Sequence, residues 1–270
     1  MASMSLPPSK TPEADFEVIK SMLSNGENFS LSRFSDGELL VCNGVEVAMQ
    51  AGHNQIGQAT FNADNSKDDI KHFDPRSHGE TQKRLQKALI YNAPNYFKGL
   101  NCYCCTAQMW SPGLVTRERQ LAGFDISKLT WANVLINSNY NRFMDEIVPI
   151  LKTRKLYMVV NEHADLEASD FDIEHSFRVG QNCMVNNIGL IDEIKSYIDD
   201  NNVTDGVFMC AASSLSNMII HECHMHNANN TYIDIGSSLN PLLPGIGSRR
   251  EYMKQLAGDI DQMGSCRWSW

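Results

Sequence analysis

Two acidic side chains separated by one glycine, Asp36-Gly37-Glu38, are the residues of this sequence best suited to chemistry, and they follow Arg33 and Ser35 at the end of a short predicted strand. Because glycine lacks a Cβ, the backbone here can turn tightly or approach a ligand closely. Two carboxylates at this spacing can share a hard divalent cation, directly or through water. The pattern equally fits a helix start, with Asp36 as the N-cap and Glu38 favoured in the first turn by the helix dipole.

Polar residues also follow three later predicted strands. In an open parallel sheet, ligands bind at the carboxyl ends of the strands, so these residues and the Asp36 turn are predicted to face one site. The paired serines among them begin a predicted helix, where free N–H groups suit a phosphate, although an ordinary serine N-cap explains them equally. The residues are Glu162 and His163, Ser213 and Ser214, and Asp234 with Gly236 and Ser237.

Strands that alternate with helices predict a doubly wound, mainly parallel, Rossmann-like α/β sheet, in a single domain spanning residues 1–270. One helix is expected to begin with Asn186 or Asn187 as its cap. The polar segment 44–79 predicts a long mobile loop that closes over the ligand as a lid. The predicted helices cover residues 11–26, 80–91, 140–151, 188–198 and 213–223, and the predicted strands after the first cover 103–107, 155–160, 176–179, 207–211 and 231–235.

Cysteine and histidine form two further clusters. Cys102, Cys104 and Cys105 lie in one apolar segment, but no second pair accompanies them as a zinc site requires. We therefore expect reduced, buried cysteines without a disulfide or zinc. In the run from His221 to His226, the second histidine comes one residue too early for the H-E-x-x-H pattern, so the run predicts a solvated helix end.

Composition excludes several classes of protein. The chain has 270 residues, 42% of them hydrophobic, and a formal net charge of −9, which argues against binding to nucleic acid or to an acidic membrane surface. No apolar run approaches the roughly 20 residues of a membrane span, and the N-terminus lacks a signal-peptide apolar region. We expect a soluble, cytoplasmic protein whose first ten residues are flexible and include an added start before Met4.

With these residues placed, the chain resembles the bacterial glycosyltransferases of the GT-D fold. That family has an early Arg-Phe-Gly-Asp-Gly-Glu segment and a late Asp-Ile-Gly segment, matched here by residues 33–38 and 234–236. Residues 131–145 resemble its middle segment, which contributes Asn137 and Arg142, and residues 155–162 resemble its strand ending in a glutamate. The similarity is loose but runs in order from about residue 29 to 243.

The resemblance implies sugar transfer from a nucleotide-diphosphate donor, typically UDP-linked, to a hydroxyl acceptor such as a glycan, assisted by Mn²⁺ or Mg²⁺. It makes Asp36 and Glu38 the D-x-E motif that handles metal and diphosphate. A metal ion there would neutralise the charge that develops on the leaving group. Glu162 is the candidate general base, with His163 as its substitute. Arg33, Ser35, Gly37, Asn137, Arg142, Ser213, Ser214, Asp234 and Gly236 are the residues expected to bind the donor.

Three segments depart from the family pattern. Ser35 replaces a glycine, Ala211-Ala212-Ser213 replaces a glycine-bearing turn, and an acidic stretch at 165–174 replaces a glycine-rich one. Two other functions fit the same carboxylates and phosphate cradle: a nucleotide or sugar-phosphate hydrolase or phosphotransferase, and a non-catalytic nucleotide-sugar binder. A glycosyltransferase acting on DNA bases is disfavoured, because the acidic chain offers no extended basic groove.

Overall fold

Parallel strands form the centre of the molecule in the computed structural model, which describes residues 5–7, 11–50, 53–61, 70–103 and 111–247. Two sheets are present within these residues, one of seven strands and one of four. The strands are β1 Ser30–Arg33, β2 Val47–Gln50, β3 His53–Ile56, β4 Ala59–Phe61, β5 Lys71–Phe73, β6 Tyr96–Leu100, β7 Leu129–Trp131, β8 Leu156–Asn161, β9 Ile173–Val179, β10 Val207–Cys210 and β11 Thr231–Asp234.

The seven-stranded sheet has the order β7-β6-β1-β11-β10-β8-β9, and every neighbouring pair in it is parallel. This confirms the predicted doubly wound α/β sheet. Helices cover both faces, so the central strands are buried on both sides, and β8 and β10 are almost continuously apolar. The helices are α1 Pro12–Ser24, α2 Asp36–Cys42, α3 Gly79–Ile90, α4 Pro112–Ala122, α5 residues 140–151, α6 Cys183–Asn186, α7 Leu190–Asp200 and α8 Ser214–His226.

Two apolar layers hold the helices to the sheet. In β10, Val207 and Met209 face the layer formed with α1 and α5, while Phe208 and Cys210 face the layer formed with α2, α3, α7 and α8. This alternation follows from the two-residue period of a strand. No helix within the described part of the chain is long and apolar enough to cross a membrane.

Local sequence signals explain where some of the helices begin. The Thr11 side chain accepts a hydrogen bond from the Ala14 N–H, and Pro12 occupies the first turn of α1, as predicted. The predicted cap of α7 is wrong, because the N-cap is Gly189. Asn187 instead accepts a hydrogen bond from the Gly180 N–H, and Asn186 donates one to the Gln181 carbonyl.

The segment 44–79, predicted as a long irregular loop, contains an antiparallel sheet in the order β4-β3-β2-β5. Val47 and Phe73 are opposite each other in this sheet and both are buried in the main apolar core. The prediction is wrong here because the strands are only three or four residues long and are rich in His, Asn and Gln, which give little β signal.

Three further predictions need correction or fall outside the described residues. The observed strand in this region is β6, which ends before the strand expected at 103–107 begins. Residues 104–110, which include Cys104 and Cys105, lie outside the described ranges. Cys102 is buried. The end of α8 is not solvated at His221 and His224, which are buried against Tyr91 and Tyr96, because α3 covers this part of the helix.

Candidate active site

The carboxyl ends of the central strands bring together several of the predicted site residues. Strand β1 lies between β6 and β11, so the turn after β1 is adjacent to the turn after β11 and one strand from the turn after β10. The Ser214 hydroxyl, which begins α8, donates to Glu38 Oε1 at 2.7 Å. Asp234 ends β11 and lies close enough to Glu38 for the two carboxylates to repel each other. The structure therefore brings Glu38, Ser214 and Asp234 together at this edge.

Asp36 and Glu38 have different surroundings although they are two residues apart. Ser35 is the N-cap of α2, and Glu38 Oε2 accepts a hydrogen bond from the Ser35 N–H at 3.0 Å, as in a capping box. Glu38 is buried, and its other oxygen is bound by Ser214. Asp36 is exposed, and its Oδ1 accepts from the Gly37 N–H at 3.0 Å. The interpretation of Asp36 as the N-cap is wrong, while Glu38 does stabilise the helix start.

Gly37 leaves free space beside Asp36. Apart from its chain neighbours and the backbone of its own helix, a Cβ added to Gly37 would meet no atom within 4 Å, so the glycine is not required by packing. The main chain at this point also lies outside the left-handed region. The space next to the exposed carboxylate is consistent with the close approach of a ligand.

Arg33 connects the turn after β11 to the loop after β7. Its Nε donates to the Ala132 carbonyl at 2.5 Å, and its Nη1 lies 3.4 Å from the Asp234 carbonyl. The guanidinium lies beneath Gly236, which has a φ of +49°, and a Cβ added to this glycine would lie 3.4 Å from Arg33 Nη2. Glycine suits this position because any other residue would be strained at this positive φ.

Asp234 is held in an unusual electrostatic environment. Its Oδ1 accepts from the Gly236 N–H at 2.9 Å. Burial raises the pKa of the Asp234 carboxyl to about 7, against the opposing influence of the Arg33 guanidinium, and Glu38 raises it further. A carboxyl with this pKa can hold or release a proton near neutral pH.

The turn between β10 and α8 is strained at Ser213. This residue has φ +50° and ψ −147°, a region that residues other than glycine seldom adopt. The Ser213 side chain makes no capping hydrogen bond, and Ser216 Oγ instead accepts from the Ala212 N–H. This strained residue lies in the segment where the GT-D glycosyltransferases, which the sequence resembles, carry a glycine.

Glu162 and His163 follow β8 at the same edge and are both exposed. Because β11 and β10 separate β8 from β1, the two strands are about 14 Å apart, at roughly 4.8 Å per strand spacing. The Glu162 carboxylate lies beside Gly180, where an added Cβ would be 3.2 Å from Oε1. The structure brings this pair to the edge of the cluster but not into contact with Glu38.

Asn137 and Arg142 follow β7. Asn137 adopts a left-handed conformation with φ +55°, which asparagine tolerates better than most residues. Arg142 binds the carboxylates of Glu17 and Glu146, and its guanidinium lies 4.5 Å from the centre of the Phe16 ring. These contacts hold the Arg142 side chain at the junction of α1 and α5, so it does not face the acidic cluster.

Sequence reasoning missed a buried carboxyl and an amide that support the Asp36 turn. Glu118 of α4 accepts hydrogen bonds from the Asn101 N–H at 3.1 Å and from Asn101 Nδ2 at 2.7 Å. Asn101 Nδ2 also donates to the carbonyl of Phe34, two residues before Asp36. Burial raises the pKa of Glu118 to about 8, although the hydrogen bonds from Asn101 oppose this shift. Glu118 lies in the polar run Arg117-Glu-Arg-Gln, which gives no sign of burial.

Asn217 of α8 holds β1 from the other side. Its Nδ2 donates to Ser32 Oγ at 3.0 Å and to the Arg33 carbonyl at 2.9 Å, and the residue is fully buried. An asparagine within an apolar helical pattern was the available signal, since a buried amide needs partners.

The geometry fits a divalent cation held by one carboxylate better than one chelated by two. Among the described residues, no group of three or more His, Cys, Asp or Glu side chains is arranged to hold a metal ion. Both Glu38 oxygens already accept hydrogen bonds, whereas Asp36 is exposed. A magnesium-type site often uses only one or two carboxylates and completes its shell with water and substrate phosphates. Asp36 can supply such a ligand.

Comparison with solved structures places the chain in a class of fold, that of a glycosyltransferase. It is similar to two structures of domain of unknown function 1792, one selenomethionine-substituted and the other described as having a distinct glycosyltransferase fold. The TM-scores are 0.51 and 0.52, at 12% identity, with 90% of this chain and 81% of each of those chains covered. The predicted resemblance is confirmed at the level of the fold. No protein-family model matches the chain, and no curated protein matches it.

Proposed function

We propose that this protein is a glycosyltransferase that moves a sugar from a nucleotide-diphosphate donor, with UDP as the first candidate, to a hydroxyl acceptor. The observation that carries the proposal is the cluster of Asp36, Glu38, Ser214 and Asp234 at the carboxyl edge of a sheet with a glycosyltransferase fold. Ligands of open α/β sheets bind at this edge.

The exposed carboxylate of Asp36 is the proposed ligand for Mn²⁺ or Mg²⁺. When bound, the ion would neutralise charge on the diphosphate leaving group. Glu38 is a positioning residue in this proposal, because it fixes the first turn of α2, and with it Asp36, and anchors α8 through Ser214. Arg33 holds the Asp234 turn next to this site.

Glu162 is the proposed general base for the acceptor hydroxyl, with His163 as its substitute. Both side chains are exposed at the same edge, where an acceptor can reach them. Proton removal in the transition state requires hydrogen-bond reach, so the acceptor has to occupy the space between β8 and the Asp36 turn.

We also propose a cytoplasmic location, which the buried thiols of Cys42, Cys183 and Cys210 support.

A panel of nucleotide sugars tests the proposal. Each donor is incubated with Mn²⁺, Mg²⁺ or EDTA, with and without a set of sugar acceptors, and release of the nucleotide is measured. We expect release that requires both metal and acceptor. Release that ignores the acceptor would indicate a hydrolase, and binding without consumption of any donor would indicate a non-catalytic binder.

A further inference from the structure

The small antiparallel sheet presents one basic side chain toward the interior. In β5, Lys71 and Phe73 lie on the same face because side chains alternate along a strand, and Phe73 is fully buried while His72 between them is exposed. Lys71 is opposite Met49 in the register, and Met49 packs against the main core. Lys71 therefore faces the α/β domain, and its side chain is half-buried.

Asn182 fastens β5 to the edge of the main sheet. Its N–H donates to the Ile70 carbonyl at 3.2 Å, and its Oδ1 accepts from the His72 N–H at 3.0 Å. These two hydrogen bonds flank Lys71. The next residue, Cys183, donates from its Sγ to the Ala212 carbonyl at 3.1 Å. The chain of contacts places Lys71 beside the turn that leads into Ser214.

The charged groups that act on Cys183 support the same position for Lys71. Burial raises the pKa of the Cys183 thiol to about 11, while the Lys71 ammonium opposes this increase and the Glu38 carboxylate adds to it. Because charges act appreciably only at short range, Lys71 and Glu38 both lie near this sulfur. The small sheet thus brings a positive charge to an edge where Asp36, Glu38 and Asp234 are acidic.

We propose that Lys71 binds a phosphate group of the nucleotide-diphosphate donor, and that the four-stranded sheet serves to carry this lysine to the site. The inference rests on the proposed function. A diphosphate that approaches three carboxyl groups requires positive charge, and an ammonium group supplies it as a mobile point charge with three hydrogen-bond donors. The half-buried position strengthens the interaction, because water screens it less than at an exposed lysine.

Calorimetric titration with UDP, UMP and uridine in the presence of Mg²⁺ tests this role. Lys71→Met keeps the aliphatic stem and removes the charge, and Lys71→Arg keeps the charge. Lys83→Met, at an exposed lysine of α3, is the matched control. Since a hydrogen bond to a charged group contributes strongly to binding, we expect Lys71→Met to weaken UDP binding about tenfold or more. Uridine binding should not change, and the salt dependence of UDP binding should decrease.

The outcomes separate the two proposals. If the wild-type protein binds no nucleoside diphosphate from a panel of UDP, ADP, GDP, CDP and dTDP, the proposed function is overturned and this inference falls with it. If the wild-type protein binds one of them and Lys71→Met binds it equally well with unchanged salt dependence, only the role of Lys71 is overturned. An equal loss for the nucleoside and the diphosphate would also overturn it, because that pattern indicates a structural defect. Unaltered binding by Lys71→Arg and Lys83→Met supports the role.

Discussion

At the scale of single residues, Asp36 and Glu38 have separate tasks. The exposed Asp36 carboxylate can reach a ligand, whereas Glu38 is buried and its two oxygens are bound by the Ser35 N–H and the Ser214 hydroxyl. A D-x-E pair in a sequence suggests two equivalent acids. The structure makes one available to chemistry and uses the other to hold two helices in place.

Amide substitutions distinguish these tasks. Asp36→Asn should lower turnover about a hundredfold, the scale of losing one preorganised electrostatic contact, with little change in melting temperature. Glu38→Gln should lose less activity, because glutamine can complete a capping box. Glu38→Ala should lose about 1–2 kcal/mol of stability, since the Ser35 N–H and Ser214 hydroxyl lose their acceptor. Steady-state kinetics and thermal unfolding check these values, and an Asp36→Asn enzyme with full activity would exclude Asp36 as the metal ligand.

Two glycines of the site provide a matched pair of substitutions. Gly236→Ala should destabilise the protein by about 1–2 kcal/mol, because alanine is strained at a φ of +49°. Gly37→Ala should leave the free energy of unfolding almost unchanged, since its Cβ position is open. If a donor occupies that space, Gly37→Ala should nevertheless raise the donor KM. Denaturant unfolding and steady-state kinetics of both variants test these expectations. Equal losses of stability would contradict the difference in backbone conformation between Gly236 and Gly37.

At the scale of elements, hydrogen bonds of Asn182 attach the four-stranded sheet to the α/β domain, in addition to the buried contacts of Val47 and Phe73. Asn182 has a left-handed φ of +51° and hydrogen-bonds on both sides of Lys71. Asn182→Ala removes the side-chain acceptor and disfavours the backbone conformation, so amide exchange in β5 and β2 should become faster. Asn182→Asp, which keeps an acceptor oxygen and tolerates the left-handed conformation, is the control. Hydrogen-exchange mass spectrometry with identical rates in all three proteins would exclude this attachment.

Long elements with a clear period can be predicted from sequence, and short ones cannot. The buried run of β8 and the amphipathic α7 are predictable because their apolar residues repeat over many positions. Strands such as β3, His-Asn-Gln-Ile, gain their stability from partners distant in sequence, so no local pattern marks them. The Asp36, Ser214 and Asp234 cluster is predictable because parallel strands end at one edge. The support that Glu118 gives to the Asp36 turn is not predictable, because it depends on which residue of α4 faces Asn101.

At the scale of the whole molecule, buried ionisable groups link stability to pH. His224 is buried beside Tyr91, Tyr96 and His221, and its Nδ1 is 2.8 Å from Ser30 Oγ. Burial lowers the pKa of His224 to about 4, with His221 adding to the decrease. Burial also raises the pKa of Glu118 to about 8 and that of Asp234 to about 7. The stabilising contribution of His224 is therefore lost as the pH falls, whereas the contributions of Glu118 and Asp234 are lost as the pH rises.

The sign for each group follows from which state binds more protons. His224 has a folded pKa below its unfolded value of about 6.5, so its contribution is complete above pH 6.5 and is lost as the pH falls toward 4. Glu118 has a folded pKa above its unfolded value of about 4.5, so its contribution is complete below pH 4.5 and is lost as the pH rises toward 8. Between pH 4.5 and 6.5 the contributions of His224 and Glu118 change in opposite directions, and above pH 6.5 only the carboxyl contributions change, so these groups predict that stability decreases as the pH rises from 6.5 toward 8.

Two variants test this pH profile. His224→Asn keeps an acceptor near Ser30 but removes the titrating ring, so the loss of stability between pH 6.5 and 4 should become shallower by up to about 3 kcal/mol. Glu118→Gln should remove part of the decrease between pH 4.5 and 8 while leaving the acid side unchanged. Free energies of unfolding measured by urea denaturation from pH 4 to 9 provide the comparison. Parallel profiles for the wild-type protein and both variants would show that neither buried group governs the pH dependence.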